Sequence, residues 1–277
     1  MIAVVIGGGT MGAGVAHLFL AGGHEVVLVE AGADRASAAR RAVEASLAKA
    51  ADRGRLDAVP HELLQRLTVV ERLDTRVGRG AALVVEAVPE DLGLKRQVLG
   101  DAARACPDAV LASNTSSLSI SALAEGLPGE RVLGMHFFNP VPVQQLVELV
   151  HHPGVAADVV ARVRGWAEEL GKTVIEVRDA PGFATSRLGV AVGMEAIRML
   201  EDGVASAEDI DTGMRLGYGW PMGPLRLTDL VGLDVRLAIA EHLAAELGPR
   251  FEPPALLREK VAAGQLGRKT GQGFFTW

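Results

Sequence analysis

Six residues, Gly7-Gly8-Gly9-Thr10-Met11-Gly12, follow directly on the apolar run Ile2–Ile6 and open a stretch of helical character from about Met11. A strand that ends in Gly-x-Gly-x-x-Gly and turns at once into a helix has few ways to fold. Gly7 permits the tight turn, Gly12 lets the helix pack close to the strand, and Gly9 leaves the backbone open at the helix N-terminus. The alternation then continues. Glu25–Glu30, Leu67–Glu71, Ala82–Ala87 and Ala109–Ser113 are short runs rich in Val, Leu and Ala, bounded by polar or Gly-containing turns. Their near-continuous apolar character is that of parallel strands buried on both faces. Arg35–Arg53 and Leu94–Cys106 between them carry helical periodicity. Arg131–Phe138, Leu146–Val150 and Thr173–Val177 add three strands, with the helix Ala156–Leu170 between the last two. The pattern predicts an α/β fold, a doubly wound Rossmann-type, mostly parallel sheet.

After Val177 the chain reads as helices: Arg187–Glu201, Ser206–Leu216 and roughly Leu225–Leu247. Ser206, with Asp209 three residues on, marks the second start. Gly203, Gly217 and Gly248 fall where helix ends favour a left-handed residue. The change of character at Asp179-Ala180-Pro181-Gly182 divides the chain into residues 1–178 and a smaller all-helical domain, 179–277.

Composition narrows the function. With 49% hydrophobic and 22% charged residues the chain is a folded protein rather than a disordered one. A formal net charge of −6 argues against a general nucleic-acid binder. Cys106 is the single cysteine, so no internal disulfide is possible and a reducing compartment is expected. No run is long and apolar enough to span a bilayer, and the start has no leader-like pattern. The expected location is cytoplasmic, and no metal is expected.

In its strand–turn–helix setting the glycine loop predicts a dinucleotide site. Glu30 ends the second strand about 20 residues further on. A carboxylate there accepts hydrogen bonds from ribose hydroxyls and repels a 2′-phosphate, so NAD is favoured over NADP.

Two further segments stand at strand ends. Ser113-Asn114-Thr115-Ser116-Ser117 follows the strand Ala109–Ser113, where side chains of a doubly wound sheet face the crevice; a turn and helix cap is an equally good reading. Gly134-Met135-His136-Phe137-Phe138-Asn139-Pro140 again runs from strand into loop. A lone histidine among apolar residues is more often a core residue than a catalyst. Glu148 in Gln145-Leu146-Val147-Glu148-Leu149-Val150 shifts that balance. A carboxylate in a doubly apolar strand destabilises the fold unless a donor meets it, and an imidazole on a nearby strand is a suitable partner. Such a pair fixes the tautomer and stabilises the imidazolium formed when the ring accepts a proton. A hydride acceptor beside a His–Glu pair points to alcohol oxidation or its reverse. The Tyr-x-x-x-Lys alternative is excluded, because Tyr218 is the sole tyrosine and Met222 stands four residues on.

With Asp179-Ala180-Pro181-Gly182-Phe183, Gly219-Trp220-Pro221-Met222-Gly223-Pro224 and the ending Gly267-Arg268-Lys269-Thr270-Gly271, these motifs resemble the L-3-hydroxyacyl-CoA dehydrogenases over essentially the whole chain. The resemblance implies His136 as acid/base, Glu148 as its orienting partner, and Ser116 between substrate oxygen and nicotinamide. It implies a cofactor site of Gly7, Gly9, Thr10, Met11, Gly12, Glu30, Glu90, Lys95, Asn139 and Lys269. Ser46 and Arg53, on the helix after the second strand, look like CoA contacts. Arg53 replaces a lysine common in the family and keeps the charge a CoA phosphate needs.

One departure stands out. Where the family usually reads Ile-Val-Asn-Arg, this chain has Ala184-Thr185-Ser186-Arg187. Ser186 is shorter than the asparagine and lacks its second polar group; a water, a shifted helix or a different substrate preference would follow. The acyl-CoA reading is therefore set against a dehydrogenase of a free hydroxy acid or sugar acid, and against a non-catalytic NAD-binding or structural protein. Met194, Ile197 and Leu200 are expected to supply apolar surface for a homodimer through the C-terminal helices.

Overall fold

The computed structural model describes residues 1–277. Its contacts divide the chain into two compact units, Met1–Asp179 and Ala180–Trp277.

In the first unit eight strands form one sheet: β1 (Ile2–Ile6), β2 (Glu25–Val29), β3 (Leu67–Val70), β4 (Ala81–Glu86), β5 (Val110–Ser113), β6 (Val132–Phe137), β7 (Leu146–His151) and β8 (Thr173–Arg178). Their order is β3-β2-β1-β4-β5-β6-β7-β8. All neighbours are parallel except β6 and β7. The helices are α1 (Thr10–Ala21), α2 (Ala33–Ala51), α3 (Pro60–Leu64), α4 (Leu92–Ala105), α5 (Ile120–Ala124) and α6 (Ala157–Glu169). The chain winds outward from β1 to β3 and returns to lay β4 on the other side of β1. That reversal opens a crevice at the carboxyl ends of β1 and β4, where ligands bind in such sheets. The buried faces of β1, β2, β4 and α1 share one core, in which Val5, Phe19, Leu28 and Leu83 have no exposed surface.

The eight strands fall within a residue or so of the sequence expectation. Two short helices, α3 and α5, were not expected, being too brief to show a period. α5 owes its start to Ser119, whose side chain accepts from Ala122 N, and to Asp179, which accepts from the N–H groups of Ile120 (3.0 Å) and Ser121 (2.8 Å) and from both serine hydroxyls.

The second unit is helical: α7 (Thr185–Glu201), α8 (Ala207–Gly217), α9 (Pro224–Val231), α10 (Leu233–Leu247) and α11 (Ala255–Ala262). Two expectations change here. Leu225–Leu247 is two helices, not one, because Gly232 adopts φ +108°, a conformation that halts a helix and costs glycine little. Met194 and Ile197 are fully buried in the unit's own core with Leu225, Leu233 and Leu243, and Leu200 packs against that core. Met194 and Ile197 are therefore not interface surface.

The chain end is fastened by Asp229, 1% exposed. Its carboxylate accepts from Phe274 N (2.8 Å), Phe275 N (2.9 Å) and Trp277 Nε1 (2.9 Å). Asp229→Ala strands these donors and should cost about 2–5 kcal/mol, lowering the melting midpoint by several degrees in calorimetry. An unchanged midpoint would mean the carboxylate does not hold the end.

Candidate active site and cofactor crevice

The glycine loop closes the crevice floor by backbone contact. A Cβ on Gly7, at φ +100°, would come within 2.7 Å of Ala87 O, just beyond β4, and one on Gly12 would overlap Gly7 O. A Cβ on Gly9 would meet nothing within 4 Å. The N-cap of α1 is Gly9, which offers no capping side chain. Thr10 and Met11 thus begin a helix whose first N–H groups face an open approach, the arrangement that accepts a pyrophosphate. Beyond it lies a cavity of about 510 Å³ whose lining mixes apolar side chains such as Ile6, Val29 and Val98 with charged ones such as Glu71, Arg72 and Asp101.

Glu30 follows β2 directly. Its Oε2 accepts the Gly8 N–H at 2.6 Å, and its Oε1 lies 3.5 Å from Arg35 Nε. One carboxylate thereby braces the glycine loop and offsets the nearby arginine.

At the ends of β4 and β5 a second carboxylate is enclosed. Glu86 has no exposed surface. It accepts from Lys95 Nζ (2.7 Å), Val88 N (2.6 Å) and Ser113 Oγ (2.6 Å). Lys95, 1% exposed, also donates to Val88 O and lies 3.3 Å from Glu90. The expected cofactor residue Lys95 is therefore a buried brace under the crevice. Glu90 ties the next loop: its Oε1 accepts from Thr115 Oγ1 (2.6 Å), Ser116 N (3.0 Å), Ser117 N (3.1 Å) and Ser117 Oγ (3.0 Å). Burial pushes the Glu90 carboxyl up, but the Thr115 hydroxyl, the Lys95 charge and the Ser116 N–H outweigh it and hold it below its ordinary value. Ser116 is thus fixed by its own backbone, and its side chain is half-buried.

His136 is the penultimate residue of β6, and Glu148 pairs with it directly across the antiparallel ladder. Nδ1 of His136 lies 2.6 Å from Glu148 Oε2. An ionised carboxylate only accepts, so Nδ1 carries the proton and Nε2 is the nitrogen that can take one. Glu148 is 0% and His136 6% exposed. Asn114, at the end of β5, accepts the Phe137 N–H at 2.9 Å and fixes the strand end that carries the histidine. Asn139 is exposed in the loop that follows.

Four further residues were expected at the site. Ser46 is on α2, and Arg53 falls in the turn after that helix ends rather than on it. In the second unit Ser186 stands in the first turn of α7, and Lys269 forms an ion pair with Asp234.

A doubly wound sheet with this loop and crevice defines an NAD-binding oxidoreductase fold. The description "3-hydroxyacyl-CoA dehydrogenase, NAD binding domain" matches residues 2–180, and "3-hydroxyacyl-CoA dehydrogenase, C-terminal domain" matches residues 182–277. The chain is 42% identical over 279 residues to the 3-hydroxybutyryl-CoA dehydrogenase of Mycobacterium tuberculosis, covering 99% of this chain and 97% of that one. It is 39% identical to the human mitochondrial hydroxyacyl-coenzyme A dehydrogenase, covering 99% and 90%. The crystal structure of the (S)-3-hydroxybutyryl-CoA dehydrogenase PaaH1 from Ralstonia eutropha superimposes with a TM-score of 0.92 at 36% identity, covering 100% and 98%. The chain belongs to the 3-hydroxyacyl-CoA dehydrogenase family, and its cofactor is NAD.

Two predictions arise from these contacts. Glu30→Ala removes a carboxylate and leaves Arg35 in place; if that carboxylate is what repels a 2′-phosphate, the preference for NAD over NADP falls, and unchanged discrimination in coupled kinetics removes Glu30 from the role. The second concerns acid. Burial raises the Asp179 carboxyl, but the Ser121 N–H and hydroxyl, the Ser119 hydroxyl and the Ile120 N–H hold it below its ordinary value, as for Glu90. A carboxyl with a depressed folded pKa stabilises fully above its unfolded value, roughly 4, and loses that contribution as pH falls through the folded one. The melting midpoint should drop below about pH 4, and less steeply in Asp179→Asn. Equal slopes would sink the assignment.

Proposed function

We propose that the protein interconverts (S)-3-hydroxyacyl-CoA and 3-oxoacyl-CoA, with the His136–Glu148 pair as its acid/base. The observation that carries this reading is the 2.6 Å contact between two almost fully buried side chains at the crevice end of the sheet. In the oxidising direction His136 Nε2 takes the proton of the 3-hydroxyl. Bound NAD supplies the acceptor for the hydride that leaves the same carbon. Glu148 keeps Nδ1 protonated and stabilises the imidazolium. In the reverse direction that imidazolium polarises the 3-oxo group and returns the proton.

The other roles follow from position. The backbone of Gly7–Gly12 cradles the pyrophosphate, with the N–H groups at the start of α1 turned to it, and Glu30 holds the adenosine ribose. Glu90, braced by Lys95, sets Ser116, whose hydroxyl serves the substrate oxygen. Asn139 and Lys269 complete the cofactor contacts, and Ser186 takes the place of an amide near the carbonyl. Ser46 and Arg53 receive the CoA moiety. We place the enzyme in the cytoplasm, where buried Cys106 stays a thiol. We infer a homodimer through the C-terminal helices, supported by Leu188 and Val235, which are 66% and 42% exposed; light scattering measures it.

His136→Gln should lower kcat roughly 10²–10⁴-fold with NAD affinity nearly unchanged. Wild-type rates in that variant would refute the pair's role. Oxidation of 3-hydroxybutyryl-CoA, compared with free 3-hydroxy acids by NADH absorbance, tests the substrate class. Turnover of the free acids alone would establish the hydroxy-acid reading instead.

A further inference from the structure

A cavity of about 440 Å³ opens beside α1 and α2; its polar lining holds His17 and Ser46, the cations Lys49, Arg53 and Arg55, and the carboxylates Asp57 and Glu169, which leaves it one positive charge in excess. The lysine and two arginines can meet the phosphates of a CoA carrier. His17 belongs to a different chemistry. It is 2% exposed, and its Nδ1 lies 2.7 Å from Ser46 Oγ, which leaves Nε2 as the ring's other polar atom. Burial, and secondarily the charge of Lys172, push its pKa down to about 4. Lys172 itself is committed elsewhere, donating to Val141 O (2.6 Å) and Gln144 O (2.7 Å). Near neutral pH the imidazole is therefore uncharged.

A neutral imidazole has one N–H and one lone pair. If Nδ1 accepts from the serine hydroxyl, the pair offers the cavity a donor at Nε2 and an acceptor at Ser46 Oγ. If Nδ1 donates, the donor is the serine hydroxyl and the acceptor is Nε2. Both tautomers leave one donor and one acceptor and no net charge. An anionic phosphate satisfies only the donor and leaves the acceptor unmet in a half-buried place, which is costly. A hydroxyl or a base edge satisfies both.

We propose that His17 is a recognition residue for the acyl carrier: with Ser46 it reads an uncharged donor–acceptor group on the nucleotide end of CoA, while Lys49, Arg53 and Arg55 take the phosphates. The inference rests on the thioester reading above. Its wall is shaped for the purpose, since Leu170 and Val143 close the apolar side of the same cavity.

The test compares 3-hydroxybutyryl-CoA with 3-hydroxybutyryl-N-acetylcysteamine, which carries the same acyl group without the nucleotide. The readout is the ratio of their kcat/KM values, which cancels any difference in folded fraction. His17→Leu should lower that ratio about tenfold, as expected for a lost hydrogen bond or two. His17→Gln, which restores one donor and one acceptor, should keep most of it. A ratio unchanged in His17→Leu, or lost equally in both variants, overturns the proposal while the thioester reading stands. A wild-type enzyme that does not distinguish the two thioesters overturns the carrier reading, and this inference with it.

Discussion

A carboxylate shut away from water must be met by donors, and in this protein that requirement fixes the working geometry. Glu148 has no exposed surface and takes its donor from His136. Glu86 has none either and gathers Lys95, Ser113 and the Val88 N–H. An unpaired buried charge destabilises a fold by several kcal/mol, so neither carboxylate tolerates its partners moving off. The result is rigidity where it is useful. The ends of β4, β5 and β6, which present their loops to the crevice, are tied to buried anions rather than merely packed.

The antiparallel step in the sheet gains its meaning from the same requirement. A parallel β7 would enter the sheet from the far end and bring its own carboxyl-terminal loop to the crevice. Running antiparallel, it sets its third residue opposite the penultimate residue of β6. The carboxylate therefore reaches the histidine from the side, leaving the loop beyond β6 open. Cross-strand neighbours stand close enough for such a bond without distorting either strand.

The legible features were those that repeat or violate a pattern. Apolar runs of strand length gave the sheet, because burial on both faces leaves a continuous signal. Glu148 is legible because a charge interrupts such a run; Glu86 carries the same signal near the end of the run Ala82–Ala87, where a charged residue is easily taken as solvated. Gly232 was not legible, since a helical period on both sides of a glycine does not say which φ it adopts. Met194 and Ile197 read as excess surface because the side chains that cover them, Leu225, Leu233 and Leu243 among them, meet them only once the chain is folded. Ser46 and Arg53 were visible through resemblance alone: nothing in the period of α2 distinguishes a solvated face from a cavity wall.

His17 shows why the remaining chemistry stays hidden in one dimension. It lies 29 residues from Ser46, on a helix otherwise built of small and apolar side chains, where a histidine reads as filler. Only the packing of α1 on α2 brings the ring to the hydroxyl. The burial that this packing imposes then decides the protonation state: an imidazole in water near neutral pH divides between two charge states, while one held at about 4 has a single, uncharged one. Neutrality matters because the surrounding lysine and arginines already supply attraction for anions. A further cation would strengthen binding of any phosphorylated molecule without distinguishing among them. A fixed donor and acceptor add little affinity but penalise a ligand that lacks the complementary pair, which is how buried polar groups discriminate.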